Sequence, residues 1–239
     1  MFTPYVGITG FTTTEEVAAA LKALPPGRRR LMVGILVSDR TLEGLPEEMG
    51  PRRHPAVADL EILFSADPRA FNAVHFHTRT PERLVDQVER VIAVAGPWLH
   101  ALQINLEQTP PEALRAIRAS HPGLQLILPL REAARRFAET YAELVDIVLF
   151  DWSAGRGVLF DPAEARAALE EIEAKMPGVA LAVAGGLGPD TIDRVRPLLE
   201  RFSDLSFDAE SRLRDADDRL DLTKVEKYLK ALARSLEAR

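Results

Sequence analysis

The 239-residue sequence predicts an α/β fold, a (β/α)8 TIM barrel in a single domain over 1–239, on three observations. Short aliphatic runs alternate with amphipathic helical stretches from end to end. Eight strand-then-helix units fill about this length, which is the pattern of such a barrel. No long linker, low-complexity tract or strong internal repeat interrupts them. A doubly wound open sheet is the competing architecture, because strand order cannot be read from periodicity.

In chain order the strand candidates are YVGIT (5–9), LMVGILV (31–37), NAVHFH (72–77), HALQIN (100–105), LQLILP (124–129), VDIVLF (145–150), VALAVA (179–184) and DLSFDA (204–209). Helical spacing marks 14–24, 81–95, 110–119, 162–176 and 221–236, with Val85, Val88, Val91 and Ile92 as one example. Proline at or near a first helical position marks starts at Thr80-Pro81, Asp161-Pro162 and Gly188-Pro189-Asp190. The stretch 40–55, rich in Gly, Pro and charge, is expected to be a long loop.

Composition excludes several chemistries. A net charge of −6 offers no electrostatic footprint for nucleic acid. With no cysteine there is no disulfide, thiolate ligand or cysteine nucleophile. Lys22, Lys175, Lys224, Lys227 and Lys230 all fall on expected helices or their ends, away from where a Schiff-base lysine would meet substrate. The N-terminus shows no export-signal pattern, and the apolar run 31–37 is too short to span a bilayer. A soluble cytoplasmic protein with no membrane partner is expected; the sequence leaves its oligomeric state open.

Residues at the C-terminal strand ends would form the site of such a barrel. LAVAGGLGPDTI (181–192) reads as a strand, a glycine turn at Gly185–Gly186 and a helix start, which suits an anion or is simply a tight turn. It is neither a G-x-G-x-x-G fingerprint nor a P-loop. Asp151 ends the run VLFD before AGRG; it is either an acid at the mouth or a carboxylate satisfied by loop amides. Asp208 and Glu210 alternate on the last strand, as bases, cation ligands or partners of Arg212 or Arg214. His75 and His77 share one face of the third strand, where packing competes with metal binding, and Trp152 is a stacking or packing residue.

The ordered set GIT (7–9), LQIN (102–105), VLFD with AGRGVLFD (148–161), AGGLGPD (184–190) and FDAES (207–211) resembles the phosphoribosylanthranilate isomerase family of tryptophan biosynthesis over nearly the whole chain. Against that family's K-I-C-G-I-T the chain reads PYVGIT, so Pro4 and Val6 replace lysine and cysteine while Gly7 is kept. Gln103 matches V-Q-L-H-G and Asn105 stands at its histidine. Gly155 and Gly157 match the segment after the sixth strand, and Arg156 replaces its threonine. Gly185 and Gly186 match outright; Asp208 and Ser211 match the last strand, where Glu210 and Arg212 depart. Arg40 is placed against the arginine of an S-P-R motif.

The resemblance implies an aldose–ketose isomerisation of a small phosphorylated sugar adduct without a cofactor or metal. Asp151 is then the general acid, the base belongs at Val6, and Asp208 is the nearest substitute for it. The implied substrate-binding set is Gly7, Arg40, Gln103, Asn105, Gly155, Arg156, Gly157, Gly185, Gly186, Ser211 and Arg212. Two other readings stay open: a non-catalytic barrel that binds a small ligand or partner, and a metal-dependent enzyme using Asp151, Asp208 and Glu210.

Overall fold

A computed structural model describes residues 2–152 and 158–237, excluding the side chains of 132–134 and 237. The strands are β1 (Tyr5–Thr9), β2 (Arg30–Ser38), β3 (Ala70–His77), β4 (Ala101–Ile104), β5 (Gln125–Leu130), β6 (Ile147–Asp151), β7 (Ala180–Ala184) and β8 (Ser206–Ala209). All eight pair in parallel and in sequence order, and β8 pairs back onto β1, closing the barrel. The open-sheet alternative is thereby excluded. The α-helices are α1 (Thr14–Ala23), α2 (Asp39–Leu42), α3 (Leu60–Leu63), α4 (Leu84–Ala95), α5 (Pro111–Ser120), α6 (Pro162–Lys175), α7 (Arg196–Arg201) and α8 (Leu222–Glu237).

Local chemistry explains most boundaries. Thr13 caps α1 through a reciprocal capping box with Glu16. Asp161 accepts from the Ala163 and Glu164 amides, with Pro162 at the first turn of α6. The helix start expected at Gly188-Pro189-Asp190 is not there. A turn occupies that stretch, held by the Thr191 hydroxyl donating to the Gly186 carbonyl at 2.8 Å, and 3-10 structure begins at Ile192. The 40–55 loop contains α2 and a 3-10 turn at Pro51–Arg53. Between β5 and β6 the chain forms 3-10 structure over Glu132–Tyr141.

The core has two layers, set by strand alternation. Val6, Ile8, Val33, Val148 and Phe207 face the helices. Tyr5, Met32, Phe71, Ala101, Ile127, Ile147 and Leu149 fill the barrel itself. This layer is apolar, and Tyr5 and Phe71 meet with ring centroids 5.4 Å apart.

The end of β1 is braced by a buried cation. Arg214, 5 % exposed, donates to the Thr9 carbonyl and, at 3.1 Å, to the Gly10 carbonyl. Gly10 has φ +89°, and a Cβ there would collide with Arg214 Nη2. Gly10→Ala should therefore destabilise the fold by on the order of 3 kcal/mol, combining left-handed strain with displacement of a buried charge. Urea unfolding measures it; a midpoint matching the parent would show that the Arg214 brace carries no weight.

Candidate functional site

Strand register places two carboxyls in one row. Asp151 on β6 pairs with Ala184 on β7, Ala184 pairs with Asp208 on β8, and Asp208 pairs with Gly7 on β1. Two strand spacings separate the acids, roughly 10 Å between Cα atoms. Both line a cavity of about 750 Å³ at the C-terminal ends of the strands, a size suited to a small molecule.

Asp208 is 8 % exposed and accepts a hydrogen bond from the Thr9 hydroxyl at 2.9 Å. A Cβ at Gly7 would lie 2.7 Å from Asp208 Oδ1, so glycine at this position leaves the carboxyl its place. Burial pushes the Asp208 carboxyl up to about 8, reinforced by the charges of Glu210 and Asp151 and opposed by the bond from Thr9.

The same register corrects the expectation for Val6. It pairs with Phe207, and both belong to the outer layer against the helices. A base at position 6 would face away from the cavity. Gly7 and Thr9 are the inward positions of β1, because side chains alternate along a strand.

Glu210 pairs neither with Arg212 nor with Arg214. Its partner is Arg53 of the 40–55 loop, with Nη1 2.6 Å from Oε1. Arg53 also grips Asp218 through Nε and Nη2, and Arg52 reaches the Asp217 carbonyl at 3.1 Å. The loop after β2 is thus tied to the loop after β8 across the mouth. Arg40 is engaged within its own loop, with Glu48 at 3.1 Å and the Pro46 carbonyl at 3.0 Å, and is not among the described residues lining the cavity.

His75 faces inward, and burial drives its imidazole down to about 3, so it is neutral at pH 7. Its Nδ1 lies 3.1 Å from Gln103 Nε2, which also donates to Asn105 Oδ1 at 2.9 Å. His77 Nδ1 lies 2.9 Å from the Asn105 carbonyl. Among the described residues no three His, Asp or Glu side chains are placed to hold a metal ion, so the metal-dependent reading has no geometric support there.

Gly185 and Gly186, at φ +133° and +60°, bring bare backbone to the cavity wall. Ser211 and Arg212 line the same side; a Cβ at Gly188 would lie 2.7 Å from Arg212 Cβ, so glycine admits that turn. Trp152 packs edge-on against Phe150, with centroids 6.0 Å apart. Gly155, Arg156 and Gly157 lie outside the described residues. All five lysines lie on α1, α6 and α8, and none lines the cavity among the described residues.

Thr9, Arg53 and Arg131 line or support the cavity without having been singled out from sequence. Thr9 sits within the GIT motif, where strand alternation from Gly7 would have found it. Arg131 continues the inward alternation of Ile127 and Pro129. Arg53 carried no signal, since its partners are 157 and 165 residues away.

Asp208 gives the fold a pH dependence with a definite sign. In the unfolded chain its carboxyl titrates near 3.8, and in the folded barrel near 8. Between these values the folded state holds a proton that the unfolded state has released, so stability falls as pH rises through the window. Asp208→Asn removes that loss. Its melting temperature should climb relative to the parent from pH 4 to 8 and level off above; parallel curves would mean that Asp208 titrates normally.

No family model matches the chain. The N-(5'-phosphoribosyl)anthranilate isomerase of Bordetella bronchiseptica is 27% identical over 239 residues, covering 95% of this chain and 94% of the relative. A phosphoribosyl anthranilate isomerase from Thermus thermophilus superposes with a TM-score of 0.68 at 20% identity, over 96% of this chain and 98% of that one. A phosphoribosyl anthranilate isomerase in complex with reduced 1-(o-carboxyphenylamino)-1-deoxyribulose 5-phosphate superposes at 0.65 and 18% identity, over 99% and 100%. The sequence relative and these two structural neighbours are thus phosphoribosylanthranilate isomerases, and the chain shares the neighbours' barrel fold.

Proposed function

We propose that this barrel is an isomerase of the phosphoribosylanthranilate isomerase type, converting an aminoaldose phosphate to an aminoketose phosphate with Asp208 as base and Asp151 as acid. The observation that carries the reading is the registered row in which two carboxyls flank Ala184, with the buried one facing Gly7. In this assignment Asp151 gives a proton to the ring oxygen as the C1–O bond breaks and a C1–N double bond forms. Asp208 then takes the C2 proton, and the freed electron pair makes the enamine that tautomerises to the ketone. A base of pKa about 8 has nearly the proton affinity of a free thiol, about 8.5. A buried carboxyl on β8 can therefore supply what a cysteine would.

The phosphate is assigned to the turn at Gly185–Gly186, with Ser211 and Arg212 on the facing side. Placing Gly155, Arg156 and Gly157 beside it rests on sequence alone. Gly7 contributes the space that Asp208 occupies, and Gln103 and Asn105 offer amide groups to the sugar. Among the described residues no helix is long and apolar enough to cross a membrane.

Loss of anthranilate-type fluorescence from phosphoribosylanthranilate tests the assignment. Asp208→Asn and Asp151→Asn should each lower kcat by about 10²–10⁴-fold. With Asp208 as base, kcat/KM should rise with pH and level off above about 8. A fall through the same pH would reverse the two roles. No turnover by the parent protein would sink the isomerase reading in favour of a binding barrel.

A further inference from the structure

Asp208 near the end of β8 and Glu210 just past it are two residues apart, and both line the cavity. Neighbouring carboxylates make each other harder to ionise. Burial and the charges of Glu210 and Asp151 oppose ionisation of Asp208, while the Thr9 hydroxyl and the Ala209 backbone favour it. Tyr5 of β1 and Tyr228 of α8, buried phenols within reach of Asp208, stay protonated and add no charge. Arg214 lies within electrostatic reach of Glu210, Arg53 and Asp218.

Arg53 meets Glu210 from the loop after β2. Its Nη1 lies 2.6 Å from Glu210 Oε1, while Nε and Nη2 donate to Asp218 at 2.9 and 2.6 Å. Three donors of one planar fork are thereby committed, so the guanidinium leaves Glu210 only by also breaking with Asp218. The backbone on both sides accommodates the arrangement. Gly50 has φ +63°, and a Cβ there would lie 3.1 Å from Arg53 Cδ. Asp218 is a non-glycine residue at φ +65°, a conformation that persists where the surroundings fix it. A strap between the two loops needs only the Arg53–Asp218 and Arg52–Asp217 contacts. The bond to Glu210 adds a charge partner at the cavity wall.

We propose that Arg53 is a positioning residue for Asp208: it holds Glu210 in an ion pair, so that the candidate base lies beside a nearly neutral couple and not beside a bare carboxylate. Alternate Cα atoms of a strand are roughly 7 Å apart. At such a distance a cation in contact with a carboxylate cancels much of its field. Without Arg53, ionising Asp208 costs more and its titration moves to higher pH. The rise of kcat/KM with pH moves the same way. That consequence for turnover rests on Asp208 acting as base; the effect on its titration does not.

Carboxyl carbon NMR of Asp208 across pH, on the full chain, tests the proposal. Arg53→Gln should raise the Asp208 midpoint by on the order of half a pH unit. Arg53→Lys, which keeps the charge and loses the fork, should restore most of the parent value. Glu210→Gln should lower the midpoint, and the Arg53→Gln, Glu210→Gln double variant should fall between the two single ones. A midpoint in Arg53→Gln equal to or below the parent's, or one that Arg53→Lys fails to restore, would overturn the proposal. So would a midpoint in Glu210→Gln no lower than the parent's, a reading that stands even if Arg53→Gln does not fold. The expected shifts in a protein that does not turn over phosphoribosylanthranilate would uphold the role of Arg53 and sink only the isomerase reading. Turnover with an unshifted Asp208 midpoint in Arg53→Gln would do the reverse.

Discussion

The barrel closes where β8 meets β1, and at that seam Asp208 lies directly opposite Gly7. A side chain at position 7 would occupy the carboxyl's own place, 2.7 Å from Oδ1. The absence of one Cβ therefore lets an acid be buried inside a closed sheet. Burial raises its proton affinity, and the Thr9 hydroxyl from the same strand supplies the hydrogen bond that makes the burial tolerable. Thr9 is itself fixed, because Arg214 holds its carbonyl and Gly10 leaves room for the guanidinium. Seam, base candidate and buried cation form one mechanical unit.

The barrel interior divides along its axis into a part that stabilises and a part that reacts. The lower end is packed by Tyr5, Met32 and Phe71, and there the Tyr5 hydroxyl and Arg30 Nε are buried without a described hydrogen-bond partner. The upper end carries Asp208, Thr9, His75, Gln103 and Asn105, and two of their buried atoms, His75 Nε2 and Gln103 Oε1, find no protein partner. An unsatisfied buried polar atom costs about 1–3 kcal/mol. At His75 and Gln103 those atoms lie beside the cavity, where a polar ligand group could satisfy them.

Much of this was legible in the sequence, for a physical reason. Strands of a closed parallel sheet are buried on both faces and read as aliphatic runs, so all eight were found with boundaries shifted by at most two residues. Asp151 and Asp208 were visible because each ends or nears the end of such a run. Motif matching failed at Val6, since a motif compares letters and ignores which face of a strand a residue occupies. One residue of offset separates the helix layer from the cavity. Arg40 and Arg53 were indistinguishable in a charged loop; only the fold brings Arg53 to Glu210 and leaves Arg40 beside Glu48. The start expected at Pro189 was overridden by the Thr191 bond to Gly186, a contact that helix-start rules do not include.

The role of Asp208 as base depends on the proton affinity of its side chain, and carboxyl carbon NMR reads it directly. With aspartate side chains labelled, the Asp208 resonance is assigned by its absence in Asp208→Asn and followed from pH 4 to 10. It should titrate near 8 in the parent protein and higher in Thr9→Val, where the stabilising hydrogen bond is gone. An Asp208 midpoint near 4, indifferent to Thr9→Val, would contradict a buried, proton-retaining carboxyl at the seam and with it the assignment of Asp208 as base.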